Sequence, residues 1–384
     1  MKSKAQRIVA SSDTVATAVA VLREGKLVAL PTETVYGIAV RADSRPALQN
    51  LLRAKERADS HPFTLAFSSV ERIMDIAPEF SVSARRLASR VLPGPLTMVL
   101  RAREERARRF FPQDVWELVL PNASFGARVP RDDFSLKVLE SADFPIALTS
   151  ANLSGRADCT SVEEVVHSLS DRISMIVDHG DSPLRKPSTV VRLREDGSTW
   201  DVLREGAISR TTLRRLAAPL ILFVCSGNTC RSPLAEGIAR QMLAELWGVA
   251  PEDVEELAGV FFLSAGVRAS QGASATSFAR RAAEKMNLDI SLHFSMQVTL
   301  PLLEYADWVC VMTPEHKDAL LELSPKAASK ISILAEEKGG VRDPFGASQQ
   351  EYDLCALEIR SALEKEWARP EFRSLIPTPQ PETR

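Results

Sequence analysis

Short apolar runs alternate with amphipathic text along most of the chain. Leu27 to Leu30, Phe63 to Phe67, Thr97 to Leu100, Ile146 to Leu148, Met175 to Val177 and Thr189 to Leu193 have strand length, whereas Pro46 to Arg57 and Val162 to Leu169 repeat at helical spacing. Such alternation predicts an α/β fold. A short basic helix is expected at Thr211 to Ala217, followed by Pro219 and a new apolar strand, Leu220 to Val224. After it Leu234, Ile238, Met242 and Leu246 form an i, i+4 stripe that stops at Gly248, with further strands expected at Val260 to Leu263 and Trp308 to Met312. Two α/β series thus meet near 210 to 219 with little linker, and no internal repeat is evident. From 369 the text carries Pro370, Pro377, Pro379 and Pro381 without apolar periodicity, which predicts a disordered tail over 369–384.

Composition adds limits. The chain has 384 residues, 45% apolar and 26% charged, which is globular and long enough for two cores. Lys+Arg 48 against Asp+Glu 50 leaves a net charge of −2, so no bulk field holds the chain on a polyanion or an anionic membrane, and any phosphate must be met by a local site. No apolar stretch reaches 18 residues and the first residues do not read as a secretory leader, so a cytoplasmic protein without membrane contact is expected. Five cysteines, Cys159, Cys225, Cys230, Cys310 and Cys355, are odd in number and contain no CxxC pair, and five histidines are scattered. Thiol chemistry is expected, not a disulfide framework or a protein-held metal.

The strand Leu220 to Val224 runs into Cys225-Ser-Gly-Asn-Thr-Cys-Arg231-Ser232-Pro233, where the long helix begins. A strand, tight loop and helix N-terminus aim successive N–H groups and a positive dipole end into one concavity, which binds a phosphate-sized dianion and favours a cysteine as thiolate. Arg231, six residues after Cys225, supplies a fork of donors for phosphoryl oxygens. The segment closely resembles the low-molecular-weight protein phosphatase family, whose loop is Cys-x-Gly-Asn-x-Cys-Arg-Ser-Pro and whose distal Asp-Pro appears here as Asp343-Pro344-Phe345-Gly346. Ser264-Ala265-Gly266 also matches, and the likeness covers 219–367.

The resemblance implies a parallel-sheet α/β domain in which Cys225 is nucleophile, Arg231 the phosphoryl clamp and Asp343 the general acid and base. Gly227, Asn228, Thr229, Cys230 and Ser232 support the loop, Ser232 bonding the thiolate and Asn228 holding the loop's strain, and Phe345 lines the leaving-group pocket. Cys230 is either a disulfide partner protecting Cys225 or a packed small residue. Thr229, with Gly346 after Phe345, looks like the arginine-phosphatase branch, so phosphoarginine is expected over phosphotyrosine on a phosphoprotein substrate. No cofactor is expected there. Arsenate reduction lacks its extra redox cysteines, since Cys310 alone lies in that region within strand-like text.

In the first series, hydroxyls and cations cluster at strand and helix ends: Pro31 to Gly37, Lys55-Glu-Arg57, Pro93 to Thr97, Ala127 to Pro130, Thr149 to Gly155, Pro187 to Val191 and Leu203 to Gly206. Taken singly, each is equally a turn, a cap or a solvated pair. Their joint order resembles the YrdC-like threonylcarbamoyl-AMP synthases over 12–210, which implies a twisted-sheet α/β domain joining L-threonine, bicarbonate and ATP for tRNA modification. By that likeness Lys55, Arg57, Ser150, Asn152 and Arg204 hold ATP, with Mg2+ bridging its phosphates, and Thr34, Arg128 and Ser188 hold threonine. It also implies a tRNA or double-stranded RNA contact and a downstream tRNA-modification transferase. Two positions depart from the family: Ala58 replaces a proline after Lys55-Glu-Arg57, and Ala66 stands where many members carry histidine. The Arg101 to Arg109 run, interleaved with Glu104 and Glu105, is either an RNA contact or, as such runs more often are, a solvated face. The expected whole is a bifunctional nucleotidyltransferase and phosphatase. The alternative is a first domain that only binds RNA or nucleotide, leaving a protein-tyrosine phosphatase as the sole enzyme.

Overall fold

The computed structural model describes residues 4–56, 63–194 and 200–378. The chain divides into two compact units, Met1–Ala217 and Ala218–Arg384.

The first unit holds ten strands: β1 (Gln6–Val9), β2 (Val28–Leu30), β3 (Gly37–Arg41), β4 (Thr64–Ala66), β5 (Leu96–Arg101), β6 (Ser124–Arg128), β7 (Ile146–Ser150), β8 (Met175–Asp178), β9 (Thr189–Leu193) and β10 (Trp200–Arg204). They form one mixed sheet in the order β1-β8-β2-β3-β7-β4-β6-β5-β9-β10. Alternate residues of one strand feed two cores: Val28 and Leu30 pack with the helices Ser12–Arg23 and Asp133–Ser141, while Ala29 faces the helices Arg45–Lys55, Val82–Val91 and Val162–Leu169. Burial on both faces explains why these strands read as continuous apolar runs without alternation. β1 has mostly exposed residues and so carries no such signal. The unit extends past 12–210 at both ends, with β1 before it and the helix Arg210–Ala217 closing it through Leu213, which is fully buried.

The second unit has four parallel strands, β11 (Leu220–Cys225), β12 (Phe261–Gly266), β13 (Trp308–Val311) and β14 (Ile331–Ile333), in the order β12-β11-β13-β14. Ile221 and Phe223 face the helices Arg231–Trp247, Ser277–Glu284 and Gln349–Trp367, whereas Leu222 and Val224 face Leu303 and Leu320. Cys310 lies in β13, fully buried, and burial pushes its thiol well above the usual range.

The expectation of a disordered tail from 369 needs correction. Residues Pro370–Arg373 form a short helix, Phe372 is fully buried with its ring edge-on to Trp308 at 6.1 Å, and Ile376 is buried one turn later. Trp247 Nε1 donates to the Pro377 carbonyl at 3.1 Å. The prolines masked an i, i+4 apolar pair; residues 379–384 lie outside the described part. No helix among the described residues is long and apolar enough to cross a membrane.

Candidate active sites

In the second unit β11, an inner strand, delivers Cys225 to the carboxyl end of the sheet, and the helix Arg231–Trp247 starts six residues later. Gly266, paired with Cys225 on β12, lets the loop lie against the sheet: a Cβ there would meet the Ser226 carbonyl at 2.5 Å. The turn is made by Asn228 in the left-handed region at φ +54°, a conformation asparagine tolerates better than other non-glycine residues.

The interior of that turn is a closed network. Cys225 Sγ is 3.0 Å from Ser232 Oγ and accepts the Asn228 N–H at 3.3 Å. Asn228 Nδ2 donates to Ser232 Oγ and to Ser264 Oγ, both at 2.9 Å, and its Oδ1 accepts from the Met296 N–H at 2.8 Å. His293 Nε2 lies 2.7 Å from the Asn228 carbonyl. Meanwhile the N–H groups of Gly227, Thr229, Cys230 and Arg231 have no acceptor among the described residues, which leaves them to face an anion at the helix start.

Arg231 crosses the mouth of the loop. Its Nη2 donates to Asp343 Oδ2 at 2.6 Å and to Ser226 Oγ at 3.3 Å, and its Nη1 donates to the Val341 carbonyl at 3.1 Å. Its Nε is buried without a partner, a donor kept for a ligand. Asp343 is half exposed and Phe345 stands 73% exposed beyond it, so both border the opening. Cys230 turns to the Tyr352 hydroxyl at 3.4 Å and to Thr276 Oγ1 at 3.5 Å; all five cysteines are free thiols.

Sequence reading passed over His316. It is buried at the start of the helix Pro314–Leu323, with Nε2 2.9 Å from Ser226 Oγ and Nδ1 3.0 Å from Thr313 Oγ1. Burial and the Arg231 charge hold it at a pKa of about 4, so the ring is neutral at physiological pH.

In the first unit the segment after β2 carries the second constellation. Arg128, at the end of β6, donates from Nη2 to Thr32 Oγ1 at 3.3 Å, to Glu33 Oε1 at 3.0 Å and to Thr34 Oγ1. Glu33 Oε2 accepts the Arg131 N–H at 2.8 Å. This carboxylate, 4% exposed, is a site residue the sequence reading missed; it neutralises a buried arginine that has no other counterion among the described residues. Arg128 Nε is again buried and unpartnered.

Lys55 donates to the Ser150 carbonyl and, at 3.1 Å, to Asn152 Oδ1, which also accepts from Ser150 Oγ at 2.6 Å. Ser188 Oγ pairs with Thr97 Oγ1 at 2.9 Å, and Arg204 Nη2 donates to the Ser188 carbonyl at 2.8 Å while remaining exposed. Gly206 packs where a Cβ would strike the Pro187 carbonyl at 2.3 Å, fixing that strand end. Two backbone bonds tie the groups to one segment: Leu184 N to the Glu33 carbonyl and Ala151 N to the Tyr36 carbonyl. Arg57 and His61 lie outside the described residues. No cluster of three or more His, Cys, Asp or Glu able to hold a metal occurs among the described residues.

A family model described as telomere recombination (Sua5/YciO/YrdC) matches residues 20–206, and one described as low molecular weight phosphotyrosine protein phosphatase matches residues 220–370. The threonylcarbamoyl-AMP synthase of Pyrococcus abyssi is 36% identical over 180 residues, covering 45% of this chain and 49% of that protein. That of Mus musculus is 36% identical over 203 residues, covering 51% of this chain and 68% of the relative. A solved YwlE arginine phosphatase, a mutant with a phosphorylated active-site serine, is 33% identical, covers 41% of this chain and 99% of its own, and has a TM-score of 0.34. The chain thus spans about half the length of the Pyrococcus relative. Through its first unit the chain belongs to the Sua5/YciO/YrdC family, and its second unit is a domain of the low molecular weight phosphotyrosine protein phosphatase family.

Proposed function

We propose that the chain is a bifunctional enzyme, a threonylcarbamoyl-AMP synthase joined to a cysteine-dependent protein phosphatase. The observation that carries the phosphatase reading is the Cys225–Ser232–Asn228 network facing the partly unpartnered Arg231 and Asp343. Cys225 Sγ attacks phosphorus, an S–P bond forms, the bond to the leaving group breaks, and Asp343 gives its proton to the departing atom. Water then attacks the phosphocysteine and returns a proton to Asp343, while the S–P bond breaks to release phosphate and restore the thiolate. Arg231 and the loop amides hold the equatorial oxygens through both displacements.

Phosphoarginine is the favoured substrate over phosphotyrosine. Support comes from Thr229, a short hydroxyl side chain at the cradle, and from Gly346, at φ +81°, which leaves Phe345 as a single aromatic wall. Peptides bearing each phosphoresidue test this: kcat/KM should favour phosphoarginine, and Thr229→Ile should move the ratio toward tyrosine. Equal shifts for both substrates would refute the pocket argument.

For the first unit, the buried Arg128 Nε beside the Thr32 and Thr34 hydroxyls suits a carboxylate carried next to a hydroxyl, as in L-threonine. Lys55, Arg57 and Arg204 are the cations for ATP phosphates. The site offers cations and amides, with its buried Glu33 already paired, so Mg2+ fits as a companion of the triphosphate, held by phosphate oxygens and not by a protein cage. The threonine amine attacks the bicarbonate carbon, an N–C bond forms as a C–O bond breaks and water leaves, and a carbamate oxygen then attacks the α-phosphorus while the bond to pyrophosphate breaks. The RNA contact and the downstream transferase remain part of this reading. Pyrophosphate release that requires ATP, threonine and bicarbonate together is the test; its absence in folded protein would favour a unit that only binds RNA or nucleotide.

A further inference from the structure

We propose that His316 is a positioning residue of the phosphate loop: its Nε2 accepts a hydrogen bond from the Ser226 hydroxyl and so turns the lone pairs of the Ser226 oxygen toward Arg231. The proposal rests on the reading of the second unit as a cysteine phosphatase. His316 is one helix turn into Pro314–Leu323, with no place in the nucleophile, clamp or acid assignments, yet both its ring nitrogens are engaged.

The direction of each bond follows from which atoms have protons to give. Arg231 Nη2 can only donate, so Ser226 Oγ accepts it at 3.3 Å. Glu315 is held below the usual carboxyl range first of all by a hydrogen bond from the Thr313 hydroxyl, which leaves the Thr313 lone pairs to accept from His316 Nδ1 at 3.0 Å. A neutral ring protonated on Nδ1 has a bare Nε2, and Ser226 therefore donates to it at 2.9 Å. One directed chain results: Arg231 to Ser226 to His316 to Thr313 to Glu315.

That order matters for the clamp. With its proton committed to His316, Ser226 presents only lone pairs to Arg231, and the Val341 carbonyl holds Nη1 on the other side. Arg231 Nη2 also contacts Asp343, so the guanidinium has two anchors that do not move when Asp343 turns to a leaving group. Protonating His316 would reverse the Ser226 bond and place a second cation beside Arg231. The charged groups that act on the ring are Arg231 and Arg268, which oppose protonation, and Glu315 and Asp343, which favour it; burial is the largest influence, and the ring stays neutral.

The test uses the full chain with an aryl phosphate as substrate and inorganic phosphate as inhibitor. His316→Leu should lower kcat/KM and weaken phosphate inhibition, each about tenfold, the effect of one lost hydrogen bond. His316→Gln, whose Oε1 accepts from Ser226, should stay close to wild type. Adding Ser226→Ala to His316→Leu should cost nothing more. Leu performing as well as Gln, or additive losses in the double variant, would overturn the proposal. A second readout does not depend on activity: nitrogen-15 shifts of wild-type His316 should report the neutral Nδ1–H tautomer down to about pH 5.5. An Nε2–H tautomer, or a ring that protonates above about pH 6, overturns the placement. Wild-type protein that hydrolyses no aryl phosphate would instead overturn the phosphatase reading, with the tautomer still deciding the placement.

Discussion

Asn228→Ala perturbs the second unit at the residue on which its loop turns. Asn228 is fully buried, and its side chain serves Ser232, Ser264 and the Met296 N–H. Ser264 keeps a bond to Glu236 at 2.7 Å, so its loss is small, but the half-buried Met296 amide loses its acceptor, at about 1–3 kcal/mol. Alanine must also hold φ near +54°, which adds about 1–2 kcal/mol for a residue with a Cβ and no compensating side-chain bond. The sum, about 2–5 kcal/mol, is a large part of the 5–15 kcal/mol typical of a folded protein. Asn228→Gly removes the bonds but not the conformation, so it should recover about 1 kcal/mol of the alanine loss. Urea unfolding of the full chain, followed by hydrogen exchange of the β11 amides, measures both variants. Glycine no better than alanine, or a loss below about 1 kcal/mol in both variants, would show that neither the left-handed turn nor the Met296 bond holds the loop.

Other expectations follow from single contacts. Arg128→Met leaves Glu33 buried and unpaired, at about 3–5 kcal/mol, and adding Glu33→Gln should restore much of the loss, read as exchange protection in β2 and β3. Phe372→Ala should cost about 3–5 kcal/mol in the second unit; an unchanged urea midpoint would return residues 370–376 to the disordered state. His316, neutral in the fold and ordinary in the unfolded chain, makes stability depend on acid. Only the unfolded state takes up a proton between its ordinary 6.5 and about 4, so up to about 3 kcal/mol present above pH 6.5 is lost as pH falls through that window, and His316→Gln should flatten the profile.

The cradle was legible because Cys225 to Ser232 are consecutive, so spacing alone encodes which groups converge. Strands with both faces buried were legible for a similar reason, as uninterrupted apolar text. What escaped depends on contacts across the chain. Glu33 meets Arg128 across 95 positions and His316 meets Ser226 across 90, and nothing local in either residue's neighbourhood distinguishes a buried partner from a solvated side chain. The ammonium of Lys55, proposed as a cation for ATP, also holds the Ser150 and Asn152 turn, a contact across 95 and 97 positions that no local text encodes. The tail failed differently, since Phe372 and Ile376 are one helical turn apart but embedded among prolines.

Rapid quenching of wild-type protein during aryl phosphate turnover, followed by peptide mapping, reads out whether a Cys225 thiolate is the nucleophile in the phosphate cradle. A single phosphoryl group should appear on Cys225, arise with leaving-group release, and accumulate in Asp343→Ala, where water is no longer activated. Steady turnover with no adduct, or with the phosphoryl group on any other residue, would contradict the account.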